Sequence, residues 1–161
     1  MKLAAWNVNS LNVRLGHVIE WLKVHQPDAL CLQELKLEDV KFPTAAFDDI
    51  GYHAVFNGQK TYNGVAIISR ARPEDVTRDI AGYEDHQKRA IAATIDGVRV
   101  VCVYIPNGQD VDSDKYQYKL QWLNALQHYM RGTIAEFGDV ALLGDYNIAP
   151  DDRDVHDPKA W

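Results

Sequence analysis

The sequence predicts a mixed α/β fold, on three observations. Residues 3–33 read as strand, helix and strand, a unit that favours a parallel pair with the helix packed over it. Asp96-Gly97 separates two strand-like runs with the residue pair that a tight hairpin turn prefers. From Asp114 to Arg131 the apolar residues recur at helical spacing. Several strand-like runs lie too close together for helical crossovers, which disfavours a purely parallel, doubly wound sheet.

Taken in order, Leu3–Val8 is the first strand. Ser10 or Asn12 is placed to cap the helix that follows, in which Leu15, Val18, Ile19 and Leu22 form one face and Pro27 marks the end. Asp28–Gln33 is the second strand. Tyr52–Phe56, Val65–Ser69, Ile91–Ile95 and Arg99–Ile105 are apolar runs of strand type. The helix over Asp114–Arg131 has Ser113 or Asp112 as its cap, and Tyr116, Leu120, Leu123, Leu126 and Met130 mark its apolar face. Val140–Leu143 is a last strand, closed by Gly144, and the polar tail from Pro150 to Trp161 reads as loop.

Composition narrows the function classes. The chain has 161 residues, 47% hydrophobic and 25% charged, which suits a globular domain and excludes disorder as the main state. The longest apolar run, Val100–Ile105, is far short of the ~20 residues that span a bilayer. Leu3–Trp6 is too brief for a signal-peptide core. An intracellular protein that meets no membrane is expected. Cys31 and Cys102 lie inside strand-like runs and read as buried free thiols. A net charge of −6 argues against indiscriminate binding to nucleic acid. It leaves room for a nuclease, whose acidic metal site can sit beside a local basic rim.

The chemistry gathers where apolar strands end. Asn7 and Asn9 follow the first strand, and Gln33 and Glu34 end the second. Tyr104 and Asn107 end another in VYIPNG, and Asp145 and Asn147 end the last in LLGDYN. Strand ends are rigidly held while their side chains reach a common rim. Singly, each is ordinary: a Glu after a strand is commonly a solvated edge residue, and an Asn in a turn is commonly turn chemistry. Together they form a set of carboxylates, amides and a phenol with no soft ligand. Such a set suits a hard cation such as Mg²⁺, which binds through one or two carboxylates and keeps places for water and phosphate oxygens.

Five segments resemble the exonuclease III / apurinic-apyrimidinic endonuclease family of the wider endonuclease–exonuclease–phosphatase superfamily, its bacterial exonuclease III branch above all. They are WNVNSLNVR, QPDALCLQELK, GQKTYNGVAIISR, VYIPNG and LLGDYNIAPDDRDVHDP, in family order and spread over the whole chain. The resemblance implies a four-layer α/β sandwich, two mixed sheets face to face with helices outside. It implies that Glu34 ligates the metal with Asn7 beside it, and that Asp145 orients or deprotonates the attacking water. Asn147 would fix the phosphate, Tyr104 would stabilise its developing charge, and Asn107 would be a lesser polar contact. DNA contacts would come from Asn9, Ser10, Arg14 and Lys36, and from Lys60 and Tyr62 in GQKTYNG. For most Lys and Arg of a chain a solvated surface charge is the ordinary role; Lys60 stands out because its flanking motif matches.

The activity implied is Mg²⁺-dependent DNA repair, with Mn²⁺ as a substitute. The enzyme would cut double-stranded DNA 5′ to abasic sites and trim 3′ ends, in the bacterial cytosol and nucleoid. Members are usually monomeric. The family's late Ser-Asp-His motif is not found. Asp85-His86 sits mid-chain in a polar loop, and His156 falls in a connecting loop. Asp110–Asp114 lacks the Gly and the distant Glu of a calcium loop. Residues 1–161 are therefore expected to be one domain of this superfamily, short at its C-terminal side, with apolar sheet surface that favours self-association. Two alternatives stay open: a superfamily phosphoesterase acting on another phosphate ester, and a fragment that only binds DNA or a partner.

Overall fold

A computed structural model describes residues 1–157. Its strands are β1 (Leu3–Asn7), β2 (Ala29–Gln33), β3 (His53–Asn57), β4 (Val65–Ser69), β5 (Glu74–Arg78), β6 (Ala90–Ile95), β7 (Val98–Tyr104) and β8 (Val140–Asp145). Its helices are α1 (Leu11–His25), α2 (Thr44–Asp48) and α3 (Asp114–Phe137). The first sheet has the order β1-β2-β4-β3 and the second β5-β6-β7-β8. In the first, β1 runs parallel to β2 and the other pairs are antiparallel. In the second, β7 runs parallel to β8 and the other pairs are antiparallel.

Strand alternation sorts the side chains into three apolar layers. Ala29, Cys31, Val65 and Ile67 of the first sheet meet Ile91, Ala93, Ile95, Val100 and Cys102 of the second. The opposite faces of β2 and β4, with Leu30, Leu32, Ala66 and Ile68, pack under α1 through Leu11, Val18 and Leu22. The outer face of β6 and β7, with Ala90, Ala92, Val101 and Val103, packs under α3 through Trp122 and Leu126. The result is the expected four-layer sandwich. Strands covered on both faces read as unbroken apolar runs, which is why β2, β4, β6 and β7 stand out in the sequence. Both cysteines are buried and free, as expected.

Several elements depart from the sequence reading. β5 is new: its side chains are mostly exposed, so the polar run Glu74–Arg78 carries no burial pattern. The short helix α2 also lacks a readable period. Ser10 does precede α1, but its side chain makes no capping bond. Instead the N–H groups of Ser10 and Leu11 donate to the carbonyls of Glu34 and Leu35. Ser113 caps α3 as expected, its hydroxyl accepting the N–H of Tyr116 at 3.2 Å. α3 runs on past Arg131 to Phe137 and stops at Gly138, whose φ of 74° suits glycine. Its buried face is set by Trp122, Leu126 and Thr133, while Leu120 is 43% exposed. Leu123, Leu126 and Met130 of the expected face do pack on the sheet, but the helix is turned so that the indole of Trp122, not Leu120, takes the core. Of the tail read as loop, residues 152–154 form a 3₁₀ turn and 158–161 lie outside the described residues.

Gly144 shows how tightly the parallel pair is built. A Cβ on it would stand 1.9 Å from the Val103 carbonyl oxygen, and its φ is 151°. Gly144→Ala is expected to cost about 3 kcal/mol in urea unfolding, since backbone must move to admit the methyl. An unchanged midpoint and slope would contradict this packing of β8 on β7.

Candidate active site

Each sheet contributes one parallel strand pair, and parallel strands bring like ends together. The C-terminal ends of β1 and β2 and those of β7 and β8 meet on one rim, where Asn7, Glu34, Tyr104 and Asp145 converge. Asn7 is at the centre. Its Nδ2 donates to Glu34 Oε1 at 2.8 Å and to Asp145 Oδ2 at 2.8 Å. Its Oδ1 accepts the Asn9 N–H at 3.0 Å, which fixes the way the amide faces.

The turns that carry these groups hold unusual backbone. Glu34, Lys36, Asn9, Ser10 and Asn147 all have positive φ, between 43° and 90°. Such conformations cost of order 1–3 kcal/mol each in a residue other than glycine and persist only where the surroundings enforce them. Here they are enforced by cross-links between turns. Besides the bonds from Ser10 and Leu11, the N–H groups of Leu35 and Lys36 donate to the carbonyls of Gly64 and Asn63.

Glu34 also accepts the Tyr104 hydroxyl on Oε1 at 3.0 Å and pairs through Oε2 with Lys36 Nζ at 3.1 Å. Burial pushes its pKa up, but the hydrogen bonds from Asn7, Lys36 and Tyr104 outweigh that and hold it below the ordinary carboxylate value. Tyr104 moves the other way. Burial, then the charge and hydrogen bond of Glu34, push its phenol up to about 12, against the opposing charge of Arg89. At neutral pH Tyr104 therefore keeps its proton and acts as a donor. Asp145 accepts the Asn147 N–H on Oδ1 at 3.0 Å. Asn147 is itself fixed by its Nδ2, which donates to the Ile105 carbonyl at 2.9 Å. Asn107 reaches the Asn147 amide oxygen only at 3.5 Å.

The residues read as DNA contacts fall in two groups. Asn9, Ser10, Arg14 and Lys36 cluster beside Glu34: Lys36 bonds the Asn9 side chain, and Arg14 bonds the Asn9 carbonyl at 2.9 Å. Lys36 is thus a partner of Glu34 as well as a rim cation. Lys60 and Tyr62 stand apart on the 58–64 loop, where Tyr62 is 68% exposed. A cleft of about 540 Å³ runs from Tyr62 past Arg89 and Tyr118 to Tyr104 and Asn107. Beyond Asn107 a second cleft of about 530 Å³ contains Lys119, Asp145, Asn147 and His156.

Two residues at the site escaped the sequence reading. Lys119, on α3, bonds the Asn147 carbonyl, and burial lowers its pKa against the pull of Asp145. Arg89 precedes β6 and lies over the Tyr104 ring. Neither is at a strand's C-terminal end, so no pattern marks them. Asp85 is a loop residue as expected, accepting the Tyr118 hydroxyl at 2.6 Å.

Among the described residues no group of three or more His, Cys, Asp or Glu is placed to hold a metal. What the rim offers is two carboxylates and several amide oxygens. That donor set fits a hard cation keeping much of its water shell, not zinc or another soft-ligand metal.

The lowered pKa of Glu34 has a measurable consequence. Its ionised form stabilises the fold above the ordinary carboxylate pKa, and this contribution is lost as pH falls through the lowered folded value. In EDTA, Glu34→Gln should therefore have a lower urea midpoint than the wild type at neutral pH. The gap should close as the pH is taken down through the ordinary carboxylate range and below it. A gap that stays constant over that range would contradict an ionised Glu34 held by three donors.

Several known proteins are similar to this chain in sequence and fold. An exodeoxyribonuclease III from Haemophilus influenzae is 31% identical over 161 residues, covering 96% of this chain and 60% of that protein. The 3′ phosphatase NExo from Neisseria, solved bound to a product DNA hairpin, superposes with a TM-score of 0.96 at 52% identity, over 100% of this chain and 63% of that one. An AP endonuclease from Archaeoglobus fulgidus superposes with a TM-score of 0.93 at 48% identity, over 99% of this chain and 62% of that one. The chain thus spans about three fifths of the length of these relatives. The Endonuclease/Exonuclease/phosphatase family matches residues 4–161, and with the rim geometry this shows that the chain belongs to that family.

Proposed function

We propose that this chain carries the metal- and phosphate-binding rim of an exonuclease III-type DNA repair nuclease. It would hydrolyse the phosphodiester 5′ to abasic sites and trim 3′ ends of duplex DNA. The observation that carries this reading is the Asn7 amide shared by Glu34 and Asp145, with Tyr104 on the same Glu34 oxygen. The relatives' names supply the substrate class: exodeoxyribonuclease, AP endonuclease, and a 3′ phosphatase bound to product DNA.

Nucleases of this family are generally dependent on a divalent cation. We assign Glu34, supported by Asn7, to hold Mg²⁺, with Mn²⁺ as a substitute. Bound there, the cation supplies positive charge that polarises the phosphate. The remaining roles belong to the chain itself. Asp145, oriented by Asn7 and the Asn147 N–H, accepts a proton from the attacking water. The water oxygen forms its bond to phosphorus in line with the departing 3′ oxygen, that P–O bond breaks, and the leaving oxygen takes a proton from solvent to become the 3′ hydroxyl. Tyr104 donates its O–H to a phosphate oxygen as charge develops, with the amides of Asn147 and Asn107 beside it. Asn9, Ser10, Arg14 and Lys36 hold the backbone on one side, and Lys60 and Tyr62 on the other.

The proposed place of action is the bacterial cytosol and nucleoid. Among the described residues no helix is long and apolar enough to cross a membrane. β1 and β8 are edge strands whose apolar side chains are only partly buried, so we expect this chain to self-associate.

A duplex with one abasic site tests the reading. In Mg²⁺ the chain should cut it, EDTA should stop the cutting, and Glu34→Ala and Asp145→Asn should each slow it about 100-fold or more. Cutting that survives Glu34→Ala, or hydrolysis of a phosphoinositide in place of the duplex, would overturn it.

A further inference from the structure

Arg89 is the strongest group near the rim without an assigned task. Its guanidinium carbon lies 4.7 Å from the centre of the Tyr104 ring and 5.9 Å from that of Tyr118. At such distances a cation over a ring face is attracted by the ring's electron-rich centre. The same side chain donates through Nη1 to the Tyr104 carbonyl at 3.1 Å. The Tyr104 N–H in turn donates to the Arg89 carbonyl at 2.8 Å. Arg89 therefore holds Tyr104 at its ring, its carbonyl and its N–H.

The other edge of the guanidinium is anchored. Nε and Nη2 donate to Gln87 Oε1 at 3.0 and 2.7 Å. That oxygen also receives the amide of Asn63 at 3.3 Å, which belongs to the loop carrying Lys60 and Tyr62. Asp85 closes the frame, accepting the Gln87 N–H at 2.9 Å and the Tyr118 hydroxyl at 2.6 Å. Among the described residues no carboxylate forms an ion pair with Arg89. Its charge is directed at the two rings and at neutral oxygens.

We propose that Arg89 is the positioning residue that sets the Tyr104 hydroxyl against Glu34 and braces it from the 58–64 loop; the proposal rests on the nuclease reading above. Without Arg89, the Tyr104 side chain would keep its packing against the core between the sheets and its hydroxyl bond to Glu34, but would lose the cation that fixes the outer face of its ring. Misplacing a catalytic group by about 1 Å can cost on the order of 100-fold in rate. A direct grip on DNA phosphate by Arg89 would look different, because each neutralised phosphate adds about 0.9 to the salt dependence of binding.

The test combines Arg89→Met and Arg89→Lys with two readouts. The first is the NMR signal of ring-labelled Tyr104, assigned with Tyr104→Phe. The second is cleavage of the abasic duplex across a salt series. Arg89→Met should shift or broaden the Tyr104 signal and lower kcat about 10- to 100-fold. KM should stay within about threefold and the salt slope should be unchanged. Arg89→Lys, which keeps the charge but not the planar fork, should recover part of kcat, and it supplies the reading if Arg89→Met does not fold. An unmoved Tyr104 signal would overturn the proposal. So would a raised KM with a salt slope lower by about one and kcat kept. If the wild-type chain itself does not cut, the nuclease reading fails, and the Tyr104 signal alone decides the role of Arg89.

Discussion

Two carboxylates from different sheets share one amide nitrogen, and the site depends on that arrangement. Glu34 and Asp145 each accept from Asn7 Nδ2 at 2.8 Å. Two like charges so close repel, and an amide that donates to both offsets part of that cost. The bond also ties the end of β1 to the end of β8, joining the edges of two sheets whose shared interior is mainly apolar and which Tyr104 and Asn57 link elsewhere through hydrogen bonds. A shift of either sheet by one residue would turn the carboxylate to the wrong face. The register of the parallel pairs, Asn7 opposite Gln33 and Tyr104 opposite Asp145, is therefore as much a part of the site as its side chains.

The two carboxylates are given different surroundings. Glu34 has a cation, a phenol and an amide around it, which keep it ionised and fix both its oxygens. Asp145 has the Asn147 N–H on one oxygen and Asn7 on the other, with Lys119 held nearby on the Asn147 carbonyl. Left-handed turns at Asn9, Glu34, Lys36 and Asn147 aim these side chains, and backbone bonds between the turns sustain that geometry.

Much of this was legible in the sequence for a physical reason. Strands buried on both faces read as apolar runs, and the polar residues that end them stand out against those runs. Asn7, Glu34, Tyr104 and Asp145 were legible in that way. β5 was not, because an exposed edge strand carries no burial pattern. The buried face of α3 was read only in part: Leu123, Leu126 and Met130 do pack on the sheet, but Trp122 and not Leu120 faces it, and apolar spacing alone does not say which residue wins. Arg89 and Lys119 reach the rim from a strand's start and a helix flank, through contacts made only in the folded chain. Lys36 reads as a DNA contact in the sequence, and only the turn geometry shows it paired with Glu34.

The central claim is that Asn7 makes one centre out of two sheets. Titrating Mn²⁺ alone into the chain, followed by electron paramagnetic resonance, tests it most directly beside the same titration of Asn7→Ala. The account predicts saturable binding by the wild type and affinity at least about tenfold weaker in the variant. Equal affinities would contradict the claim that the Asn7 amide organises Glu34 and Asp145 for a cation.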